Sequence, residues 1–390
     1  MDRVVATFAK PTRPRRAGRN FVVVCICAVW ALGTAHATDI TLGVIAGTSG
    51  HGASYGLGIV RGAQMAVEEI NATGGIDARK IKLIVVDDAS SPARSAIAMR
   101  RLVSADVDLI VGGWGSSQVL AHMDIAEQSG IPYIVVGATH PRITSATNKW
   151  TFRVIQTDAM MAEQLARIVI VSLGLKRIAV ISDSNDYGIA NRRVFIEALA
   201  RVGIKPVEVQ SYQTADKDFA AQLARIKTAN PDGLALFGTA PAAPAIMNQA
   251  RGMGITARFV GTGGLANETL VASAPAASEG TVLMTYFNGE VDTEARDWAH
   301  RYEQRFAGEA QAPRPVLAAW EYRAIRYIAA PCLMRAGSNR MRLRDCIASW
   351  RGKMFGISGD AYFDKQGQLI QQPVAVEIRG GVFRLLGSAN

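Results

Sequence analysis

Apolar and polar residues follow two alternating periods along most of the chain. Short apolar runs that end in Gly, Asp or Ser predict buried strands at residues 40–45 and 81–86. Between them, apolar residues spaced three and four apart predict amphipathic helices at 55–70 and 92–104. Because strand and helix alternate, we expect a parallel sheet whose crossover connections are right-handed.

The same pattern begins again after residue 153. It predicts helices at 160–173, 186–202, 219–229 and 245–253, and strands at 177–182, 206–212, 233–237 and 258–261. A strand at 281–286 is expected to return the chain to the first unit. Two helices (293–306 and 316–336) and paired strands within 361–386 complete the pattern. The sequence therefore predicts an α/β fold with two doubly wound units in series.

Small hydroxyl residues follow two neighbouring strands in the stretch 108–139. Ser116 and Ser117 begin a helix after the first strand, and Ala138 and Thr139 follow the second. Open α/β sheets bind ligands at the carboxyl ends of their strands, and a helix N-terminus can hold a carboxylate. Ser116 alone could simply cap its helix. The second hydroxyl group, on Thr139, favours a binding cleft.

The first 37 residues have the features of an export signal. Basic residues precede an apolar run at 21–32, and a small-residue cleavage motif ends at Ala37. We therefore expect residues 1–37 to be a cleaved signal peptide and the protein to reside in the periplasm. Removal of this segment leaves Cys332 and Cys346, which in an oxidising compartment form either one disulfide or two buried thiols.

Composition and charge narrow the class of protein. The chain has 390 residues, of which 49% are hydrophobic and 19% charged, as expected for about two globular domains. The net charge of +10 falls to about +5 without the signal peptide, and we expect this excess to be spread along the sequence. Nucleic-acid binding requires a clustered basic face, so we expect no nucleic-acid partner.

Signatures of catalysis and of metal binding are scarce. The sequence contains no phosphate-binding loop, no zinc-type His pair and no G-x-S-x-G motif. His122 and Asp124 lie on the helix after Ser116 but point away from its start, and Asp87 and Asp88 suit loop capping better than metal binding. We expect a protein that is not an enzyme and that uses no cofactor or metal.

Five motifs, taken in order, carry a resemblance to a known family. NATGGI, VVDDASSP, VGGWGSSQ, VVGATHPRIT and SDSNDYG resemble stretches of the periplasmic leucine/isoleucine/valine-binding proteins of ABC importers. The resemblance implies a type I periplasmic binding protein, in which three hinge crossings join two Rossmann-like, doubly wound lobes and the ligand lies in the cleft between them. One lobe would comprise residues 38–156 and 286–365, and the other 157–285 and 366–390. It also implies a monomer that serves an inner-membrane ABC permease.

The resemblance assigns roles to individual residues. In that family, hydroxyl and backbone N–H groups hold the ligand's α-carboxylate, an aromatic residue closes over the ligand, and a second-lobe tyrosine contacts it. These roles would fall on the following residues: Ser116, Ser117, Ala138, Thr139, Tyr55 and Tyr187.

The half of the family site that binds the α-ammonium group is missing. The family places a glutamate where this chain has Gly263, and a tyrosine where it has Thr239. A buried ammonium group without a counter-charge costs on the order of several kcal/mol. We therefore expect a small carboxylate ligand without an α-amino group, an aromatic or other organic acid. Asp158 could replace the glutamate, or could serve only as a hinge or capping residue.

An aromatic ligand would need flat apolar surfaces, for which the candidates are Tyr55, Trp114, Tyr187 and Phe237. Trp114 could equally be a core residue. The sequence leaves three alternative functions open: a protein that binds amino acids or amides, a ligand sensor for a separate receptor, and a secreted hydrolase.

Overall fold

The computed structural model describes residues 38–145, 147–239, 242–285, 287–309, 316–337, 339–357 and 359–387. The predicted signal peptide (1–37) and Tyr286, where a hinge crossing is predicted, lie outside these residues. Within the described ranges, no helix has both the length and the hydropathy needed to cross a membrane.

Strands and helices alternate through most of the described chain. The strands are β1 Ile40–Ala46, β2 Ile81–Asp87, β3 Leu109–Gly112, β4 Tyr133–Val135, β5 Thr151–Arg153, β6 Ile178–Asp183, β7 Glu208–Tyr212, β8 Gly233–Phe237, β9 Arg258–Gly261, β10 Val282–Thr285, β11 Arg351–Gly352, β12 Ala361–Phe363, β13 Leu369–Ile370, β14 Val374–Arg379 and β15 Val382–Leu385. The helices are α1 Ala53–Ala72, α2 Pro92–Ser104, α3 Ser116–Ser129, α4 Asp158–Arg167, α5 Asp186–Arg201, α6 Ala220–Ala229, α7 Ala243–Gly252, α8 Glu268–Ser273, α9 Pro275–Ser278, α10 Thr293–Arg305, α11 Val316–Arg323, α12 Ala330–Ala336 and α13 Arg340–Ala348. Two π-helical segments, Ile168–Ser172 and Ala324–Ala329, continue α4 and join α11 to α12.

The first sheet is parallel throughout and has the strand order β2-β1-β3-β4-β5. The order reverses between β1 and β3, so the loops that follow these two strands diverge and leave a crevice. Helix α1 packs closely on α11, because Gly62 has no side chain to meet the Ala318 carbonyl. We call this sheet and the helices packed on it the first half.

The second sheet has the order β15-β14-β10-β9-β8-β6-β7. Strands β6 to β10 are parallel, whereas β14 and β15 pair antiparallel at one edge. Its order reverses between β6 and β8, which creates a second crevice. We call this sheet with α4 to α9 the second half. A small antiparallel sheet of β11, β12 and β13 lies beside β5.

Buried glutamines tie together two of the segments that link the sheets. The chain leaves the first sheet after β5 and enters the second-half strand β14 after β13. Gln156 Nε2 donates to the Gln371 carbonyl (3.0 Å), and Gln371 Nε2 donates to the Val154 carbonyl (2.9 Å). Gln368 Nε2 donates to the Ile155 carbonyl (2.6 Å). These bonds hold the two connecting segments side by side.

The predicted α/β class with parallel sheets is confirmed. Helix 92–104 and strands 233–237 and 258–261 have the predicted bounds. Sequence reasoning did not predict strand β5 or helices α8, α9 and α13. The stretch 281–286, predicted to return the chain to the first unit, contains β10, which is a strand of the second sheet. A disulfide joins Cys332 in α12 to Cys346 in α13.

Candidate functional site

A cavity of about 370 Å³ lies between the carboxyl ends of the parallel strands of the two sheets. Loops after β1, β3 and β4 form its first-half wall, and loops after β6, β7, β8 and β9 form its second-half wall. Both crevices where strand order reverses therefore open into one space. This is the position at which the strand topology of open α/β sheets favours ligand binding.

Hydrogen-bond donors converge at the first-half end of the cavity. Helix α3 begins at Ser116, and its cap residue, Gly115, has no side chain to bond the first backbone N–H groups. The Ser116 hydroxyl accepts from the His140 N–H (3.3 Å). Thr139 is 97% buried, and its hydroxyl lies close enough to Asp158 to lower the pKa of that carboxyl but completes no hydrogen bond with a described residue. Ser116 is therefore not the cap of its helix, and this end is suited to an anion.

An aromatic wall stands beside these donors. The rings of Tyr55 and Trp114 are parallel within 2°, with their centroids 4.9 Å apart. The indole of Trp114 fits against the backbone of Gly52, where a Cβ atom would lie 1.9 Å from the ring. This wall of the cavity is therefore a stacked pair of rings whose position depends on the absence of a side chain at Gly52.

Hydrogen bonds from Tyr55, Ser117 and Asn267 join the two halves across the cavity. The Tyr55 hydroxyl donates to the Gly264 carbonyl (2.7 Å). The Ser117 hydroxyl donates to Asp186 at the start of α5 (2.6 Å). Asn267 Nδ2 donates to the Ser54 hydroxyl (3.2 Å). Ser117 was predicted to bind the ligand, but here its hydroxyl proton serves this contact between halves.

A hydrogen-bond chain stiffens the second-half wall. Tyr187 and Thr262 share a hydroxyl–hydroxyl bond (2.9 Å), and the Gly264 N–H donates to the Tyr187 hydroxyl (3.0 Å). Thr262 donates to the amide oxygen of Asn191 (3.0 Å), whose nitrogen donates to Asp158 (2.6 Å). The phenol of Tyr187 is thus fixed in place at the cavity surface, and burial raises its pKa.

The described lining of the cavity contains no Asp, Glu, Lys or Arg. The described lining includes the imidazole of His51. Burial lowers the pKa of this histidine, and the nearby Asp183 partly raises it again. Asp158 lies behind Thr139 rather than in the lining. Burial raises the pKa of Asp158 to about 6, partly offset by the nearby Thr139, Arg153 and Asn191. An anion in this cavity would be held by neutral donors, and a cation would meet no carboxylate of the described lining.

The structure brings most of the predicted site residues together. The cavity is lined by Tyr55, Trp114, Ser116, Ser117, Thr139, Tyr187, Thr239 and Gly263. Ala138 is buried behind the wall, and its carbonyl accepts from Arg153 Nη1 (3.4 Å). The prediction that Phe237 faces the ligand is wrong, because its ring packs edge-on against Phe195 in the core (5.2 Å).

Several lining residues were missed by sequence reasoning. Asn185 and Thr214 follow β6 and β7, so the strand-end argument that found Thr139 could have found them. Val316 and Leu317 lie at the start of α11, which approaches the cavity through its packing on α1. No local sequence signal marks these two residues.

The other candidate polar residues have structural roles. His122 is buried, with Nδ1 bonded to Ser95 (2.6 Å) and Nε2 to Tyr133 (2.9 Å). Asp87 accepts bonds from the loop after β1, and Asp88 accepts from the loop that precedes α2. In the ranges given above, no cluster of His, Cys, Asp or Glu could hold a metal ion.

Replacing Asp158 by Asn is expected to change how stability depends on pH. The carboxyl group of Asp158 binds its proton more tightly in the folded protein than in the unfolded chain, because its pKa is raised on folding. The wild type therefore loses stability as pH rises from about 4 to 6. Between pH 4.5 and 7 the loss should be about 2 kcal/mol, and Asp158→Asn should remove it. Urea denaturation of both proteins at the two pH values measures the difference, and parallel pH dependences would contradict this account.

Comparison with known proteins agrees with the fold and the position of the cavity. Residues 39–381 match the family model described as "periplasmic binding protein". An amino acid binding protein of Pseudomonas aeruginosa is 31% identical over 69% of this chain and 72% of its own length. The chain therefore belongs to the periplasmic binding protein family, and the predicted resemblance to that family is confirmed.

Two solved structures show the breadth of this fold. The branched-chain amino acid transporter substrate binding protein LivJ from Streptococcus pneumoniae, in complex with isoleucine, has 27% identity and a TM-score of 0.81. It matches 88% of this chain and 97% of its own. A solute binding protein from R. palustris, in complex with benzoate, has 22% identity and a TM-score of 0.81, with 90% and 96% coverage.

Proposed function

We propose that this protein binds a small organic carboxylate without an α-amino group and delivers it to an ABC importer of the inner membrane. The observation that carries the proposal is the neutral lining. Ser116, Thr139 and the start of α3 supply donors for a carboxylate, while the described lining has no acid to meet an ammonium group. Several neutral donors can together stabilise a buried carboxylate.

The aromatic wall extends the proposal to the rest of the ligand. Tyr55 and Trp114 offer a flat apolar surface beside the anion end, as a planar ring would require. The same fold is found in one protein complexed with isoleucine and in another complexed with benzoate. The fold alone therefore does not decide the ligand class, and we base the proposal on the side chains of this chain.

Family membership supports the proposed transport role. We propose export through the signal peptide 1–37, and two lobes (38–156 with 286–365, and 157–285 with 366–390) that close on the ligand. Hinge closure is a common way to enclose a ligand between two α/β lobes. The hydrogen bonds that Tyr55, Ser117 and Asn267 make across the cavity would form on closure.

Restoring the missing acid tests the ligand class. The Gly263→Glu variant should bind leucine at least tenfold more tightly than the matched Gly263→Gln variant, because only the former carries a counter-charge for the ammonium group. Gly263 is not in the left-handed region, so its backbone admits either side chain. Isothermal calorimetry measures the leucine affinity of both variants. Strong leucine binding by the wild type and both variants would overturn the proposal and assign the amine to another residue, such as Asp158.

A further inference from the structure

Positive charge is concentrated on one segment of the chain. Residues 326–353 contain six Arg and one Lys against a single acid, Asp345. Residues 38–390 together carry an excess of only five basic residues, so this segment exceeds the total and the remainder is slightly acidic. The prediction of an evenly spread excess is therefore wrong. We call residues 326–337 and 339–353 the basic hairpin.

The basic hairpin is a rigid part of the first half. The disulfide between Cys332 and Cys346 joins α12 to α13, which pack against each other. Arg340 donates to Asp106 (2.8 Å) and to the Val107 carbonyl (2.9 Å), in the loop before β3. Its helices are therefore already ordered, and a partner would not have to pay for ordering them.

Its outer surface combines charge with exposed apolar side chains. Arg335, Arg342 and Lys353 are exposed and form no ion pair with any residue in the described ranges. Met334 and Met341 are 56% and 57% exposed, one on each side of the turn between α12 and α13. Single exposed methionines are unremarkable, but two at one basic turn form an amphipathic surface.

An exposed aromatic residue contacts the basic hairpin at Arg351. Tyr362 in β12 is 40% exposed, and the Arg351 guanidinium lies 5.3 Å from the centre of its ring. Tyrosine and arginine are residues that suit the boundary between water and lipid headgroups.

The basic hairpin and the cavity lie at opposite ends of the strands of the first sheet. Arg340 contacts the loop before β3, and Arg344 stacks over Trp150, which precedes β5 (5.2 Å). The cavity residues Trp114 and Thr139 follow the opposite, carboxyl ends of β3 and β4. A partner on the basic hairpin would leave the cavity mouth open.

We propose that the basic hairpin docks this protein on a membrane surface rich in anionic phospholipids. Guanidinium groups bind phosphate oxygens in a bidentate manner, and clustered basic residues are attracted to anionic bilayers. Met334 and Met341 would enter the headgroup layer of the bilayer. Binding to an acidic protein would not require exposed apolar side chains at these positions. Docking would hold the protein near the membrane with the ligand cavity exposed to solvent.

Vesicle sedimentation tests the proposal. The protein is recovered after export and its N-terminus checked by mass spectrometry, because residues 1–37 would add lipid affinity of their own. Vesicles of phosphatidylcholine alone are compared with vesicles containing about one third phosphatidylglycerol. The wild type should bind only the anionic vesicles, and 0.5 M NaCl should release it, because salt screens exposed charges.

Matched variants locate the surface. The triple variant Arg335→Ala, Arg342→Ala, Lys353→Ala should lower the vesicle partition coefficient at least tenfold, and Met334→Ser with Met341→Ser several-fold. The control Lys205→Ala, Arg225→Ala, Lys227→Ala removes equal charge from exposed positions of the second half, and should change it less than twofold. No binding of the wild type to anionic vesicles, equal losses in the two triple variants, or capture of an acidic protein without vesicle binding would each overturn the proposal.

Discussion

Replacing Ser116 and Thr139 together by Ala should weaken ligand binding at least a hundredfold and leave the fold intact. Hydrogen bonds to a charged group contribute about 1.5–3 kcal/mol each, and both hydroxyls lie at the anion end of the cavity. The Thr139 hydroxyl has no full hydrogen bond to a described residue, so its removal costs the empty fold little. Calorimetry with the tightest-binding acid and thermal unfolding measure the two effects separately.

A matched control removes two hydroxyls that lie outside the cavity. Ser129 bonds the Ala126 carbonyl at the far end of α3, and Thr228 bonds the Ala224 carbonyl on the exposed surface of α6. The Ser129→Ala, Thr228→Ala variant should bind the ligand as the wild type does. Unchanged affinity in the Ser116→Ala, Thr139→Ala variant would remove the proposed carboxylate site.

Adding a single methyl group at Gly52 should disrupt the aromatic wall. A Cβ atom there would lie 1.9 Å from Cζ2 and 2.4 Å from Cε2 of Trp114, so the indole must leave its place. The backbone φ of Gly52 is −97°, which alanine adopts freely, so the effect would come from the collision alone. We expect Gly52→Ala to cost about 1–3 kcal/mol of stability and at least tenfold in ligand affinity.

The same helix supplies the control. A Cβ atom at Gly58 would meet its nearest neighbour, the Ala318 nitrogen, at 3.7 Å, which is an ordinary contact. Gly58→Ala should therefore be neutral or slightly stabilising, because alanine favours the helix. In the Trp114→Ala background, Gly52→Ala should cost little further stability. An additive loss in that double variant would show that Gly52 acts on something other than Trp114.

The elements with strong periodicity could be predicted from the sequence, and the weak ones could not. Helix Pro92–Ser104 is delimited by a proline at its start and apolar residues on one face, and its bounds were predicted correctly. Strand β5 has three residues, too few for a pattern, and forms because Tyr133 to Val135 offer it a pairing edge. Helix α13 has only two fully buried side chains, Leu343 and Ile347, so its periodicity is faint.

Site residues at strand ends could be predicted, whereas side-chain direction and long-range partners could not. Thr139 was found because the topology brings carboxyl strand ends together. Every residue of β8 is buried, so the sequence gives no alternation by which to decide that Phe237 faces the core. Ser117 and Asp186 are 69 positions apart, and only the packing of the halves shows that the hydroxyl serves the carboxylate.

Calorimetric titration of the wild type with matched ligand pairs tests the central claim most directly. Leucine is compared with 4-methyl-2-oxopentanoate, which replaces its amine by a ketone, and benzoate with uncharged benzamide. We expect one or both acids to bind, and we expect no binding of leucine or benzamide. Binding of leucine in preference to its keto acid would contradict the claim that this cavity accepts a carboxylate and has no counter-charge for an ammonium group.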